Sequence, residues 1–303
     1  MRILVTGGSG FVGKNLTKQL ISNGHEVTIT STGTELPVSG VKQTLYMGLD
    51  GIDWERACNQ DAVIHLMANN DTLCQDKSEM FRANVFGPQK LFNMLLKCGC
   101  KKFIYASSTA VYGSEPAPYT EDTKINPLNP YGESKAEFDD FALSFANYNK
   151  VVVYGFRYCN IYGPGEESKG KRMSMIGQIL RKCMKNERPT LFEFGEQKRD
   201  WIFVEDVVQA NLKALEHKPE EPKGEIYNIG SGCSHTFNEI IAQINSTLNR
   251  DFKPRYIPCN FSEAYQNYTE CDISKAKREL GFEPKFSLQS GIEKYFNSLI
   301  FST

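Results

Sequence analysis

Short unbroken apolar runs alternate along the first half of the chain with stretches whose apolar residues recur every three to four positions. The runs are RILVTGG at the N-terminus, EVTITS at 26–31, AVIHLMA at 62–68, KFIYASS at 102–108 and VVVYGFRY at 151–158. An apolar run with no in-out alternation suits a strand covered on both faces, and the helical stretches between are the crossovers that parallel strands need. The spacing predicts a helix through about residue 23, a second over about 84–98, and a third carrying Tyr131. Strand and helix in turn imply an α/β fold, a doubly wound parallel sheet. EIYNIGSG at 225–232 reads as a strand that rejoins the sheet after an excursion. Residues 1–164 and 225–232 are thus expected to form one domain, and 165–224 with 233–303 a smaller, discontinuous lobe.

With 303 residues, 40% hydrophobic content and a formal net charge of −1, the chain can bury a sizeable core. Such a balance leaves no footprint for nucleic acid, and no apolar run approaches the roughly 18 residues of a membrane span. A strand-like run starts within a few positions of residue 1, so no secretory leader is expected and the cytoplasm is the expected location. Nine cysteines at irregular spacings, with only four histidines, make neither a disulfide framework nor a ligand set. The expectation is reduced, mostly buried thiols and no metal.

The first strand runs into VTGGSGFVG. Gly7, Gly10 and Gly13 allow a tight turn, close approach of a pyrophosphate to the backbone, and close helix-on-strand packing, while the helix start offers unpaired N–H groups to an anion. A glycine triplet alone is weak, but its place between strand and helix strengthens it. About 18 residues beyond Gly13, where an acid commonly binds the adenosine ribose of NAD, the chain has Ser31. With Ser31, Thr32 and Thr34 as donors and no carboxylate to repel a 2′-phosphate, NADP is as well supported as NAD.

Tyr131 and Lys135 lie four apart at the head of a helix whose Phe138, Phe141, Ala142 and Phe145 form an apolar stripe, so both extend that stripe. One reading is packing, with the lysine stem on the core and its ammonium in water. The other is chemical. A tyrosine with a pKa near 10 needs a drop of about three units, about 4 kcal/mol, to ionise near neutrality. One ammonium about 4 Å away, at an effective dielectric near 20, supplies about that much.

The glycine loop, the Ser107–Ser108–Thr109 strand end and the Tyr131/Lys135 helix together resemble the extended short-chain dehydrogenase/reductase family, in its branch of nucleotide-sugar epimerases and dehydratases. So do DAVIHLMA at 61–68, Asn84 in ANVFG, FRYCNIYGPG at 156–165 and QKRDWIFVEDV at 197–207. The resemblance spans nearly the whole chain. It implies a Rossmann domain over 1–164 and 225–232 that holds tightly bound NAD or NADP through Gly7, Gly10, Phe11, Val12, Gly13, Ser31, Leu66, Ala68, Asn84, Tyr131 and Lys135. The remaining lobe would bind a nucleotide-diphosphate sugar. By the same resemblance Tyr131 is the acid/base, Lys135 binds the nicotinamide ribose and lowers the tyrosine pKa, and Ser108 holds the reacting oxygen. Asn160, Lys169, Arg199 and Tyr265 would meet the substrate, Arg199 with a guanidinium fork for the diphosphate. A homo-oligomer is the usual state.

Dehydratases of this branch carry an acidic residue after the position of Ser108. Here Thr109 and Ala110 follow, which disfavours elimination. GPGEESKGKRMSM at 163–175 and YQNYTECD at 265–272 are similar to segments of the ADP-glycero-manno-heptose 6-epimerases, in which the lysine matching Lys169 is a second acid/base. A basic surface run or a phosphate contact accounts for Lys169 equally well. UDP-hexose 4-epimerases remain the alternative, although the arginine they often place before 265–272 is missing. Departures from the pattern are the extra basic residue in KGKRMSM, Cys159 in place of an aromatic, Leu49 in place of an acid, and Ser31. A dinucleotide-binding protein without chemistry would have lost one of Ser108, Tyr131 or Lys135, and all three are present.

Overall fold

In the computed structural model, residues 1–31, 38–46, 57–258 and 267–301 are described. Seven parallel strands form the main sheet: β1 (Arg2–Thr6), β2 (Glu26–Ser31), β3 (Gln43–Tyr46), β4 (Ala62–His65), β5 (Lys102–Ser108), β6 (Val152–Tyr158) and β10 (Gly224–Ile229). Their order is β10-β6-β5-β4-β1-β2-β3. The sequence runs at 2–8, 26–31, 62–68, 102–108 and 151–158 thus each hold a strand, and that of Gly224–Ile229 rejoins the sheet. β3, four residues without an apolar run, was not foreseen.

Side chains alternate between two cores because successive strand residues face opposite ways. Ile3, Val5, Ile104, Tyr154 and Phe156 pack with α1 (Phe11–Ser22), while Leu4, Val63, Phe103 and Tyr105 pack with α3 (Gly87–Lys97) and α4 (Pro130–Asn149). Both faces are covered, which is why the strands read as unbroken apolar runs. The helix α6 (Val204–Glu216) lies in a stretch assigned from sequence to the second lobe. It nevertheless packs on α1 and on the sheet, through Val207, Ala210 and Ala214.

The second lobe has its own core, in which α5 (Met175–Met184), α7 (Phe237–Leu248) and α9 (Leu288–Phe301) surround Tyr162, Trp201 and Phe203. Beneath them lies a small sheet in which β9 (Lys198–Phe203) is flanked by β7 (Asn160–Tyr162), β11 (Ser234–Thr236) and β13 (Tyr268–Thr269). β7 follows β6 after one residue, so the two sheets join at Cys159.

The thiols correct the sequence reading. Cys58 and Cys98 form a disulfide, their Cα atoms 5.4 Å apart, because the end of α3 folds back beside the approach to β4. That contact spans 40 residues and leaves no mark in the spacing. Of the other described cysteines, Cys100, Cys159, Cys183 and Cys271 are buried, Cys74 is half-buried and Cys233 is exposed. Among the described residues no helix is long and apolar enough to cross a membrane.

Candidate active site

A cleft of about 810 Å³ opens at the carboxyl ends of the main strands. Its floor is the glycine loop. Gly7 sits at φ +68°, where a side chain is strained, and a Cβ on Gly13 would overlap the Gly7 carbonyl oxygen. The loop is fixed from behind, with Gly7 N donating to Thr30 Oγ1 at 3.0 Å and Gly8 N to the Thr30 carbonyl at 3.1 Å. α1 starts with neither a side-chain cap nor an acid in its first turn, so its leading N–H groups are left for an anion. Phe11, Val12, Ser31, Leu66 and Ala68 line the same space. This cradle fits the pyrophosphate of a dinucleotide.

Tyr131 enters from the first turn of α4. That helix begins where it does because Asn129 caps it, its Oδ1 accepting from Gly132 N at 2.9 Å, with Pro130 preset for the first turn. Tyr131 and Ser108 line the same space, and Ser108 Oγ accepts from Ala110 N at 3.2 Å. Lys135 is 5% exposed and donates to the Ala106 carbonyl at 2.8 Å, its ammonium 5.8 Å from the Tyr131 ring centre. The carbonyl contact turns the lysine toward β5, and burial lowers its pKa to about 8. Burial also raises Tyr131, with Ser108 opposing.

From the second lobe, Lys169 reaches the cleft in a 3₁₀ segment (Glu166–Arg172), its ammonium 5.4 Å from the Phe11 ring centre. Burial lowers its pKa and Glu166 opposes. Glu166 is fully buried and holds the segment's return, accepting from Ser174 N at 2.6 Å and Ser174 Oγ at 2.8 Å.

Three expected contacts fall elsewhere. Asn84, in a π-helical turn (Arg82–Phe86), lies behind the cleft wall. Its amide donates to the Asn69 carbonyl at 2.9 Å and to Ser134 Oγ at 3.0 Å and accepts from Asn69 N at 2.8 Å, so it clamps the loop after β4 onto α4. Asn160 and Arg199, on β7 and β9, do not line the cleft; Arg199 donates to the Lys198 carbonyl at 2.9 Å. Tyr265, Thr32, Thr34 and Leu49 lie outside the described residues. Sequence reasoning missed Asn70 and Arg172, whose side chains meet at 3.0 Å across the cleft mouth. The basic run KGKR was the only signal.

Residues 3–230 match the NAD dependent epimerase/dehydratase family. A Methanocaldococcus jannaschii protein with the provisional name UDP-glucose 4-epimerase is 32% identical, the match covering 97% of each chain. The crystal structure of the ADP-L-glycero-D-manno-heptose-6-epimerase of Helicobacter pylori superposes with a TM-score of 0.88 at 33% identity, over 99% of this chain and 96% of that one. MoeE5, solved with UDP-glucuronic acid and NAD, gives a TM-score of 0.90 at 26% identity over the whole of both chains.

Proposed function

The chain belongs to the NAD dependent epimerase/dehydratase family, and from that premise we propose that this nucleotide-sugar epimerase inverts a carbon of an ADP-activated heptose, with Tyr131, Ser108, Lys135 and Lys169 as its working residues. The observation that carries the reading is convergence: all four side chains, from two lobes, line one cleft with the glycine cradle.

When bound, the nicotinamide dinucleotide reversibly accepts a hydride. Gly7, Gly10, Gly13 and the start of α1 would hold its pyrophosphate, Ser31 its adenosine ribose and Lys135 its nicotinamide ribose. Ser31 brings no carboxylate to repel a 2′-phosphate, so NADP is part of the proposal beside NAD. Tyr131 takes the proton of the sugar hydroxyl as the carbon–hydrogen bond breaks; it returns that proton to a ring carbonyl that has presented its other face, whereas for a turned exocyclic aldehyde the returning proton comes from Lys169. Ser108 holds the reacting oxygen. Lys169 offers a second proton donor from the opposite lobe, which matters when an exocyclic aldehyde has turned. Leu66, Met67 and Tyr158 line the cleft and keep water from the carbonyl stage.

A UDP-hexose 4-epimerase is the second reading, favoured by the Methanocaldococcus jannaschii relative. Product analysis with ADP-heptose and UDP-hexoses separates the two. Tyr131→Phe is expected to lower turnover of either sugar by about 10²–10⁴-fold, and Lys169→Met that of the heptose only. Intact heptose turnover in Lys169→Met rules out the second acid/base. The proposal also includes the cytoplasm, tested by fractionation, and a homo-oligomer, tested by sedimentation.

A further inference from the structure

Where the two sheets join, two thiols from distant parts of the chain meet. Cys159, the one residue between β6 and β7, donates from Sγ to Cys271 Sγ at 2.9 Å across 112 residues. Both are buried, at 7% and 2% exposure, yet Cys159 lines the cleft. Each is fixed through its backbone. Cys159 N donates to the Ile229 carbonyl at 2.9 Å, and the segment of Cys271 is stitched to Tyr119 by Tyr119 N on Glu270 and Asp272 N on Tyr119, both at 2.8 Å. A Cβ on Gly230 would lie 2.7 Å from Cys159 Sγ, so the sulfur has no free space on that side.

Buried Asp200 is the third member of the cluster. A cation held by the three is disfavoured, because the carboxylate already accepts from Ser231 N and Ser231 Oγ at 2.7 Å, Gly232 N at 3.2 Å and Cys271 N at 3.3 Å. Two sulfurs in direct contact suit a bond to each other, which closes when they approach to about 2.05 Å.

We propose that Cys159 and Cys271 are an oxidative modification site, at which hydrogen peroxide entering the cleft makes a disulfide joining the β6–β7 junction to the segment after β13. The peroxide O–O bond breaks as one oxygen is transferred to Cys159, giving a sulfenic acid and one water. The Cys271 thiol then attacks that sulfur, its proton leaving with the hydroxyl as a second water. Two thiols lose two electrons and the peroxide gains them. Asn160 follows Cys159, and Thr269, two residues before Cys271, pairs with Arg199, so the bond locks the small sheet to the large one beside the cleft.

The test treats the whole reduced protein with hydrogen peroxide, blocks the remaining thiols and maps the peptides by mass. A Cys159–Cys271 cross-linked pair, lighter by two hydrogens than the separate peptides, is expected, with a Tm rise of about 5–10 °C for a closed loop of this length. Cys271→Ala should lose the cross-link and the part of the rise it brings, the Cys58–Cys98 bond re-forming alike in both proteins. Saturating NAD should slow the reaction several-fold by filling the cleft. A sulfinic acid on Cys159 with no cross-link, or thiols masked by tightly held zinc, overturns the proposal, and an unchanged rate with NAD bound overturns entry through the cleft. The peptide map reads the bond without reference to turnover, so its failure is separate from failure of the epimerase assignment.

Discussion

Asp139, one helical turn beyond Lys135, carries the charge balance behind the site. Its Oδ2 accepts from Arg157 Nε at 2.9 Å and its Oδ1 from the Tyr105 hydroxyl at 2.9 Å, with side-chain exposures of 7% for Arg157 and 2% for Asp139. Arg157 also donates to the Tyr112 hydroxyl at 3.0 Å and the Glu121 carbonyl at 3.2 Å. Burial pushes the Asp139 carboxyl up, and the Arg157 guanidinium at contact distance opposes that shift. Asp139→Asn keeps the shape and strands the arginine charge in the core, at a cost of about 3–5 kcal/mol. For a chain of this size that is a fall in Tm of about 6–10 °C. Urea unfolding followed by circular dichroism should show the midpoint fall with the slope unchanged. Replacing both partners with apolar residues of similar volume, Asp139→Leu with Arg157→Met, should recover most of the loss, since the cost lies in the unpaired charge. A loss below about 1 kcal/mol in Asp139→Asn, or a double variant weaker than the single one, refutes the reasoning. Asp139 also supports the charge on Lys135, so turnover of Asp139→Asn should fall further at pH 7.5 than at pH 6.

Gly13→Ala drives a methyl into the Gly7 carbonyl, and NAD binding measured by calorimetry should weaken at least 100-fold with the fold retained. Tyr131→Phe should lower turnover by about 10²–10⁴-fold while NAD binds as in the wild type, since the phenol transfers a proton and the ring only packs. Lys135 titrates at about 8 in the folded chain against about 10.4 unfolded, so the unfolded chain holds more protons between those values and stability rises with pH across that window. Below pH 8 the penalty for the buried ammonium is constant. Relative to Lys135→Met, the wild type should gain about 3 kcal/mol between pH 8 and 10.5, read from denaturant unfolding at each pH.

What the sequence revealed is local. The glycine loop and the Tyr131/Lys135 helix each fit within some 15 residues and obey strand or helix periods, so their place and pairing could be read directly. Contacts that join remote segments could not. The Cys58–Cys98 bond, the Cys159–Cys271 pair and the Asp139–Arg157 ion pair depend on which strands become neighbours, and no local period encodes that. β3 was missed because its four residues, QTLY, are too short and too polar to stand out. Asn84 was placed at the cofactor by resemblance, whereas the π-helical turn aims it at the backbone behind the cleft. The charge environment of Tyr131 was also out of reach, because the contact of Lys135 with the Ala106 carbonyl depends on how closely α4 packs on β5.

The most direct test is to run the epimerisation in deuterium oxide and examine the inverted carbon by NMR and mass spectrometry. If Tyr131 moves only the hydroxyl proton while the carbon-bound hydrogen leaves and returns as hydride, the product keeps its original hydrogen at that carbon. Deuterium there at one atom per turnover would mean that the carbon is deprotonated and reprotonated from solvent, which contradicts the account.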